Sequence, residues 1–195
     1  VGTMSYLLGH LYFAVAGADE GALVRILPIQ DRLTVHPGVV PGQQPTGMVV
    51  DRFNHWLLVG GRSATRPAAV ACWCPDAEAI GMLAVPFPDA HAVRVWAAEG
   101  GRAYVTDGGD RLAILQTTDG AVLECGRFPL GAITAMLTSP HGECYGLAGG
   151  WLFHFDPVRG RVERLTRADG DHLTLLRRDY FAYTRGGRID TVRLW

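Results

Sequence analysis

The hydrophobic positions of this chain fall in short runs, each cut off by Gly, Pro or Asp, and none recurs at the spacing of an amphipathic helix over a useful length. The stretch from 132 to 165 shows the pattern most plainly. Ile133 to Thr138, Cys144 to Ala148, Trp151 to Phe155 and Arg161 to Leu165 are β-type runs. Between them stand Ser139-Pro140-His141-Gly142, Gly149-Gly150 and Asp156-Pro157-Val158-Arg159-Gly160, where Gly supplies positive φ and Pro presets or ends extended chain. The spacing predicts four antiparallel strands joined by tight turns. The preceding stretch repeats it with His91 to Ala97, Ala103 to Thr106, Leu112 to Gln116 and Val122 to Gly126.

Self-similarity runs through most of the chain. Trp56-Leu57-Leu58-Val59-Gly60-Gly61 is echoed by Ala103 to Gly109, Cys144 to Gly150 and Tyr180 to Gly187, with Leu11 to Gly17 a looser first copy. Gly17, Gly60, Gly108, Gly149 and Gly186 stand 43, 48, 41 and 37 residues apart, so an aromatic-rich strand followed by a Gly turn is expected about every 42 residues. A four-stranded unit of that length cannot bury both faces alone, whereas radial stacking of several units can. The first run of each unit, Gly47 to Val50, Ala92 to Trp96, Ile133 to Leu137 and Leu173 to Leu176, lacks strict alternation, as an innermost strand covered on both faces should.

The expected fold is therefore all-β, a β-propeller of four-stranded antiparallel blades with about 4.7 repeats; a β-sandwich is the competing architecture. One domain, 1–195, would hold blades at 5–44, 45–90, 91–131, 132–171 and 172–195, the last with only three runs. Either a strand from Val1 to Leu7 completes that blade and closes a five-bladed ring, or the blades are part of a larger ring whose exposed flanks call for a partner or a second copy.

Composition narrows the chemistry. All 18 basic residues are arginine, which removes Schiff-base, P-loop and general-base lysines. Against 19 acidic residues the net charge is -1, no footprint for nucleic acid or an anionic membrane. No apolar run has the length of a membrane-spanning helix, and Val1 to Leu8 does not read as a secretory signal. Val1 to Thr3 stands before Met4 as a scar or the edge of an excised segment. Cys72, Cys74, Cys125 and Cys144 read as reduced, packed side chains of a cytoplasmic protein, and their spacing lacks the paired knuckles of a zinc site, so no metal and no cofactor is expected.

The segment from Pro140 to Pro157, with Tyr145-Gly146 and Leu152-Phe153-His154-Phe155-Asp156-Pro157, resembles the repeat unit of the bacterial propeller superfamily that includes virginiamycin B lyase-like, gluconolactonase-like and quinoprotein-type proteins. The resemblance covers the repeats from about Thr46 onward and is specific for fold. Kelch and WD-type repeats fit less well, since no Trp-Asp dipeptide ends a blade. Lactonase-like relatives imply a channel cation held by Glu, Asn and Asp, but the one asparagine, Asn54, reads as a turn residue. Lyase-like relatives imply His and Glu at the channel mouth; the analogues here are His91, His172 and Glu99, or His141 with Glu143. His154 reads as packing at a blade interface, and His10, His36 and His55 join no constellation.

Arg94 lies in an otherwise apolar innermost run, where it should meet a carboxylate, backbone carbonyls or a ligand anion. Arg177-Arg178-Asp179, Arg161, Arg164 and Arg167 read as solvated surface, and no Ser sits in a nucleophile elbow. These readings favour a non-catalytic module that binds a protein or small molecule through Arg94, His91 and His172. The alternative is a lyase or lactone hydrolase at the central channel, with His91, His172 and Glu99 as its catalytic candidates.

Overall fold

The computed structural model describes residues 4–139, 141–177 and 179–194; Val1 to Thr3, Pro140, Arg178 and Trp195, which enter the readings above, lie outside them. Nearly every described element is a strand, in the order β1 (Met4–Leu7), β2 (His10–Val15), β3 (Ala22–Leu27), β4 (Arg32–Pro37), β5 (Gln44–Asp51), β6 (Trp56–Arg62), β7 (Val70–Cys74), β8 (Ala79–Ala84), β9 (Arg94–Glu99) and β10 (Arg102–Thr106). There follow β11 (Arg111–Gln116), β12 (Val122–Arg127), β13 (Ile133–Thr138), β14 (Cys144–Ala148), β15 (Trp151–Asp156), β16 (Arg161–Arg167), β17 (His172–Arg177), β18 (Tyr180–Arg185) and β19 (Arg188–Arg193). A short 3-10 turn at Pro28–Gln30 separates β3 from β4. No helix among the described residues is long and apolar enough to cross a membrane.

The strands form consecutive antiparallel meanders, the blades of a β-propeller: β1–β4, β5–β8, β9–β12 and β13–β16 are four-stranded sheets 1 to 4, and β17–β19 is a three-stranded sheet 5. Met4–Leu7 does not complete sheet 5. It pairs with His10–Val15 as the first strand of sheet 1, because the Leu8-Gly9 turn, with positive φ at both residues, folds it back on its immediate neighbour. The chain divides into two compact units, Val1–Gly108 with Leu112–Gly126, and Gly109–Arg111 with Arg127–Trp195.

In the first unit the middle sheet is apolar on both faces, and alternate residues of one strand serve different cores. Leu57 and Val59 of β6 pack with Tyr12, Leu23, Ala71 and Trp73 between sheets 1 and 2. Leu58 packs with Val70, Phe87, Val95 and Val105 between sheets 2 and 3. Successive strand side chains point to opposite faces, so this is the arrangement of a sheet stacked between two others.

The expected Gly turn after this strand is not there. Gly60 and Gly61 lie inside β6 with ordinary negative φ. A Cβ on Gly60 would stand 2.5 Å from the Val93 carbonyl oxygen, and one on Gly61 would collide with the Gln43 side chain. Glycine is here for the close approach of the next blade's backbone, where the Gly61 carbonyl accepts from Val93 N–H at 2.9 Å and Ser63 N–H donates to the His91 carbonyl at 2.9 Å. Gly149-Gly150 and Gly186-Gly187 are true positive-φ turns.

In the second unit, Tyr145, Leu147 and Leu152 of sheet 4 pack against Phe181, Leu173, Leu175 and Val192 of sheet 5. The other face of sheet 5 carries Thr174, Tyr180, Thr184 and Thr191, with the Tyr180 hydroxyl donating to Thr191 Oγ1 at 3.1 Å. That alternation is the composition of a sheet face turned to water.

If β6 divides two cores, Leu57→Val and Leu58→Val each remove a methylene from a separate packing unit. Each is expected to cost about 1 kcal/mol, and the double variant their sum within about 0.5 kcal/mol, read by chemical denaturation. A larger coupling would place both leucines in one core.

Candidate functional site

The first strands of sheets 2 to 5 share one irregularity. Each of β5, β9, β13 and β17 carries a bulge, in which Thr46, Trp96, Thr134 and Leu176 respectively face no partner residue. Two bulges perform the same task. The Thr46 hydroxyl donates to the Val93 carbonyl ahead of β9, and the Thr134 hydroxyl donates to the Gly170 carbonyl ahead of β17 at 2.5 Å. A bulge turns a side chain that would otherwise follow the pleat, and here it ties one inner strand to the approach of the next.

In β9 the unpaired residue is Trp96, which shares a face with an arginine two residues before it. Arg94 is half-buried, with its guanidinium carbon 3.9 Å from the centroid of Trp96. Trp96 is fixed from the other side, its indole N–H donating at 2.8 Å to Oγ1 of the buried Thr106, the register partner of Arg94. The stem of Arg94 lies against β5, where a Cβ on Gly47 would stand 3.2 Å from Arg94 Cγ. Burial presses the guanidinium below its usual pKa range, yet it stays charged. The expected carboxylate or backbone partner is not found among the described residues; an indole face takes that place.

His91 is exposed in the segment before β9 and lines a cavity of about 540 Å³ with Asp19, Gln44, Arg62, Ser63 and Thr65. Gln44 fixes one wall by accepting from Gly17 N–H and donating to the Gly17 carbonyl, both at 3.1 Å. Glu99 ends β9 beside Arg102, so it and His91 stand at opposite ends of an extended segment, roughly 20–25 Å apart. The structure does not bring these two together. His172, in the second unit, opens β17 with Nδ1 3.1 Å from Thr184 Oγ1, an exposed pair at a strand end.

His141 and Glu143 do meet in one place, a cavity of about 470 Å³ that also holds Thr138, Ser139, Thr174 and Arg177. Ser139 is the buried organiser of that loop: its Oγ accepts from the N–H groups of His141 and Glu143, each at 3.2 Å, and donates to Glu143 Oε2 at 3.3 Å. Oxygen lone pairs committed to two amides make it a turn residue rather than a nucleophile. Asn54 is likewise structural. It donates to the buried Asp51 at 2.7 Å and to Thr117 at 2.8 Å, joining sheets 2 and 3.

His36 does belong to a constellation. Its ring lies 4.3 Å from that of Trp73, and Tyr12 Oη, His36 Nε2 and Trp73 Nε1 are all buried without a hydrogen-bond partner among the described residues. Beside them Arg25 pairs with Glu78 at 2.7 Å, joining sheet 1 to the β7–β8 turn and holding the Glu78 carboxyl below its usual range. Nothing in sequence spacing points to this group, because its members come from four strands and a turn. Of the cysteines, Cys144 is buried and its thiol pKa pushed up, whereas Cys125 is exposed on the outer strand β12, not packed as expected. Among the described residues no three His, Cys, Asp or Glu side chains gather as a metal site would require.

No protein-family model matches the chain, and no curated protein does. Solved structures match in fold. The chain is similar to the extracellular domain of the one-component system BT4673 of B. thetaiotaomicron, with TM-score 0.71 at 9% identity, over 97% of this chain and 27% of that one. It is similar to the RRP9 WD40 repeats, with TM-score 0.70 at 14% identity, over 95% of this chain and 57% of that one. A chain in the nidogen/laminin complex gives TM-score 0.68 at 15% identity, over 95% of this chain and 74% of that one. Identities this low show the β-propeller fold alone.

Burial and the neighbouring Arg25 lower the His36 pKa from 6.5, partly opposed by Glu78. The unfolded chain therefore binds a proton at this site more readily than the folded one, so stability falls as pH drops below about 6.5 and levels off under the folded pKa. A melting series from pH 7.5 to 5 should show that decline, and His36→Phe should flatten it.

Proposed function

We propose that this protein is a non-catalytic binding module and that Arg94 receives an acidic group of its ligand. The observation that carries the reading is the environment of one side chain: a half-buried guanidinium held over Trp96, with no anion among the described residues to meet it. A cation–π contact offsets part of the desolvation, on the order of 0.5–2 kcal/mol, and leaves the N–H fork of the guanidinium free for a carboxylate. Trp96, Thr106 and Gly47 hold the arginine in place beforehand, so little side-chain entropy remains to be lost on binding. His91 and Arg62 line the cavity at the same end of the sheets, where a larger partner would make further contacts. An interaction role also suits the solved neighbours, which include WD40 repeats and a member of a protein complex.

The shared chemistry is a carboxylate, from an acidic protein segment or a small organic acid. Titrating ¹⁵N-labelled protein with a polyglutamate peptide in one arm and succinate in the other should move the Trp96 indole resonance saturably. The arm with the tighter response identifies the source. Arg94→Met should abolish the shift without lowering Tm by more than a few degrees, while Arg188→Gln, on sheet 5, should leave it unchanged. A shift that survives Arg94→Met would sink the assignment.

A further inference from the structure

Sheet 1 has a second face that its contact with sheet 2 does not use. Its ladders run without a bulge, pairing Tyr6 with Leu11, Phe13 with Val24, Val24 with Val35 and Ile26 with Leu33. These side chains therefore share one face, opposite Leu7, Tyr12, Ala14 and Leu23, which pack toward sheet 2. Tyr6 is 66% exposed, Leu33 60% and Val35 53%, and Phe13, Val24 and Ile26 are only half-buried. By the same alternation, Arg25, Arg32, His10 and His36 fall on the inner face, so the four strands place no charge on the outer one.

This is not the composition of a face meant for water. Sheet 5 shows what such a face looks like here, with Thr174, Thr184 and Thr191 around the exposed Ile189, where sheet 1 has Met, Tyr, Phe, Val, Leu and Ile. Monomeric proteins seldom leave a continuous apolar patch above a few hundred Å² uncovered. Together with Met4, 63% exposed, and Val15, 42% exposed, on the same face, these side chains present roughly 700 Å² per copy, close to the ~800 Å² that each partner contributes to a standard stable interface.

We propose that this face is a homodimer interface, in which two copies of the chain pack sheet 1 against sheet 1 about a twofold axis. Two features favour a second copy as occupant. The face is uncharged, so a partner with a charged patch would lose hydration and find no counter-charge, whereas a second copy sets apolar surface on apolar surface with no like charges across the axis. Its area meets the need of a dimer without help from another element. Two twisted sheets facing each other at about 10 Å would bury the residues of both inner faces, as in a sandwich.

The test is sedimentation velocity of the full chain from low to high micromolar concentration. The wild type should be a concentration-dependent dimer. Leu33→Glu and, separately, Val35→Lys should weaken dimerisation at least about 100-fold, since each forces a charge into the desolvated centre. Both positions are exposed in the single chain, so circular dichroism and melting of the diluted variants should match diluted wild type. Ile189→Glu, at an exposed site on sheet 5, should leave the dimer intact. A wild type that stays monomeric throughout, a dimer indifferent to both sheet 1 variants, or a monomer that cosediments with phosphatidylcholine vesicles would each overturn the proposal. Because the Arg94 variant tests a different surface, the two readings stand or fall separately.

Discussion

A four-stranded sheet of mostly apolar residues has two faces to hide and only one chain segment to make them from. Neighbouring sheets must do the hiding, and the rest of the first unit follows from that requirement. Leu57 and Leu58 turn to opposite cores, and Trp73 and Cys72 do the same one strand further out. Where the neighbours come closest, side chains have to vanish, which is why Gly60 and Gly61 occupy mid-strand positions that propensity alone would give to β-branched residues. Where inner strands meet, a bulge frees one hydroxyl from the pleat to reach the next backbone.

The same close packing prepares Arg94. A guanidinium on a loose loop would be hydrated and would pay a large entropic cost to hold any one pose. Here β9 is clamped between β5 and β10, the pleat sets Trp96 on the same face as the charge, and Thr106 locks the indole. A charge that has already lost part of its water and cannot swing away is the kind of group that rewards a matching anion.

The strand pattern was open to reading from the sequence because period-two runs and turn dipeptides are local signals; Ile133–Thr138 and Cys144–Ala148 stand where the runs placed them. Errors arose where a residue answers to a distant neighbour. Gly60 looks like a turn until the Val93 carbonyl is beside it, and His36 looks isolated until Trp73 arrives from another sheet. Closure by Val1 to Leu7 stood open beside the partial ring because counting strands does not say which edge is nearest, whereas the Leu8-Gly9 turn, which folds Met4–Leu7 onto sheet 1, does. Arg94 is recognisable as a misfit in an apolar run, and period two sets Trp96 on its face, but whether a carboxylate from another strand reaches the guanidinium is not a local signal. Sheet 1 keeps its charged residues on the covered face and its unbroken apolar set on the other, the reverse of the usual pattern, so its strands alone do not tell which face is left uncovered.

Among the described residues sheet 5 has one strand fewer than the other sheets, and its packed core lies on the face toward sheet 4. In a stack of this kind stability is close to a sum of units and contacts between them, so the sheet with the fewest of both is the least protected part of its unit. When it opens, Tyr145, Leu147 and Leu152 lose their cover while sheet 4 keeps its own ladder. Amide exchange along β17–β19 would then run ahead of that in β14 and β15, and the lifetime of the folded unit would be set from this end.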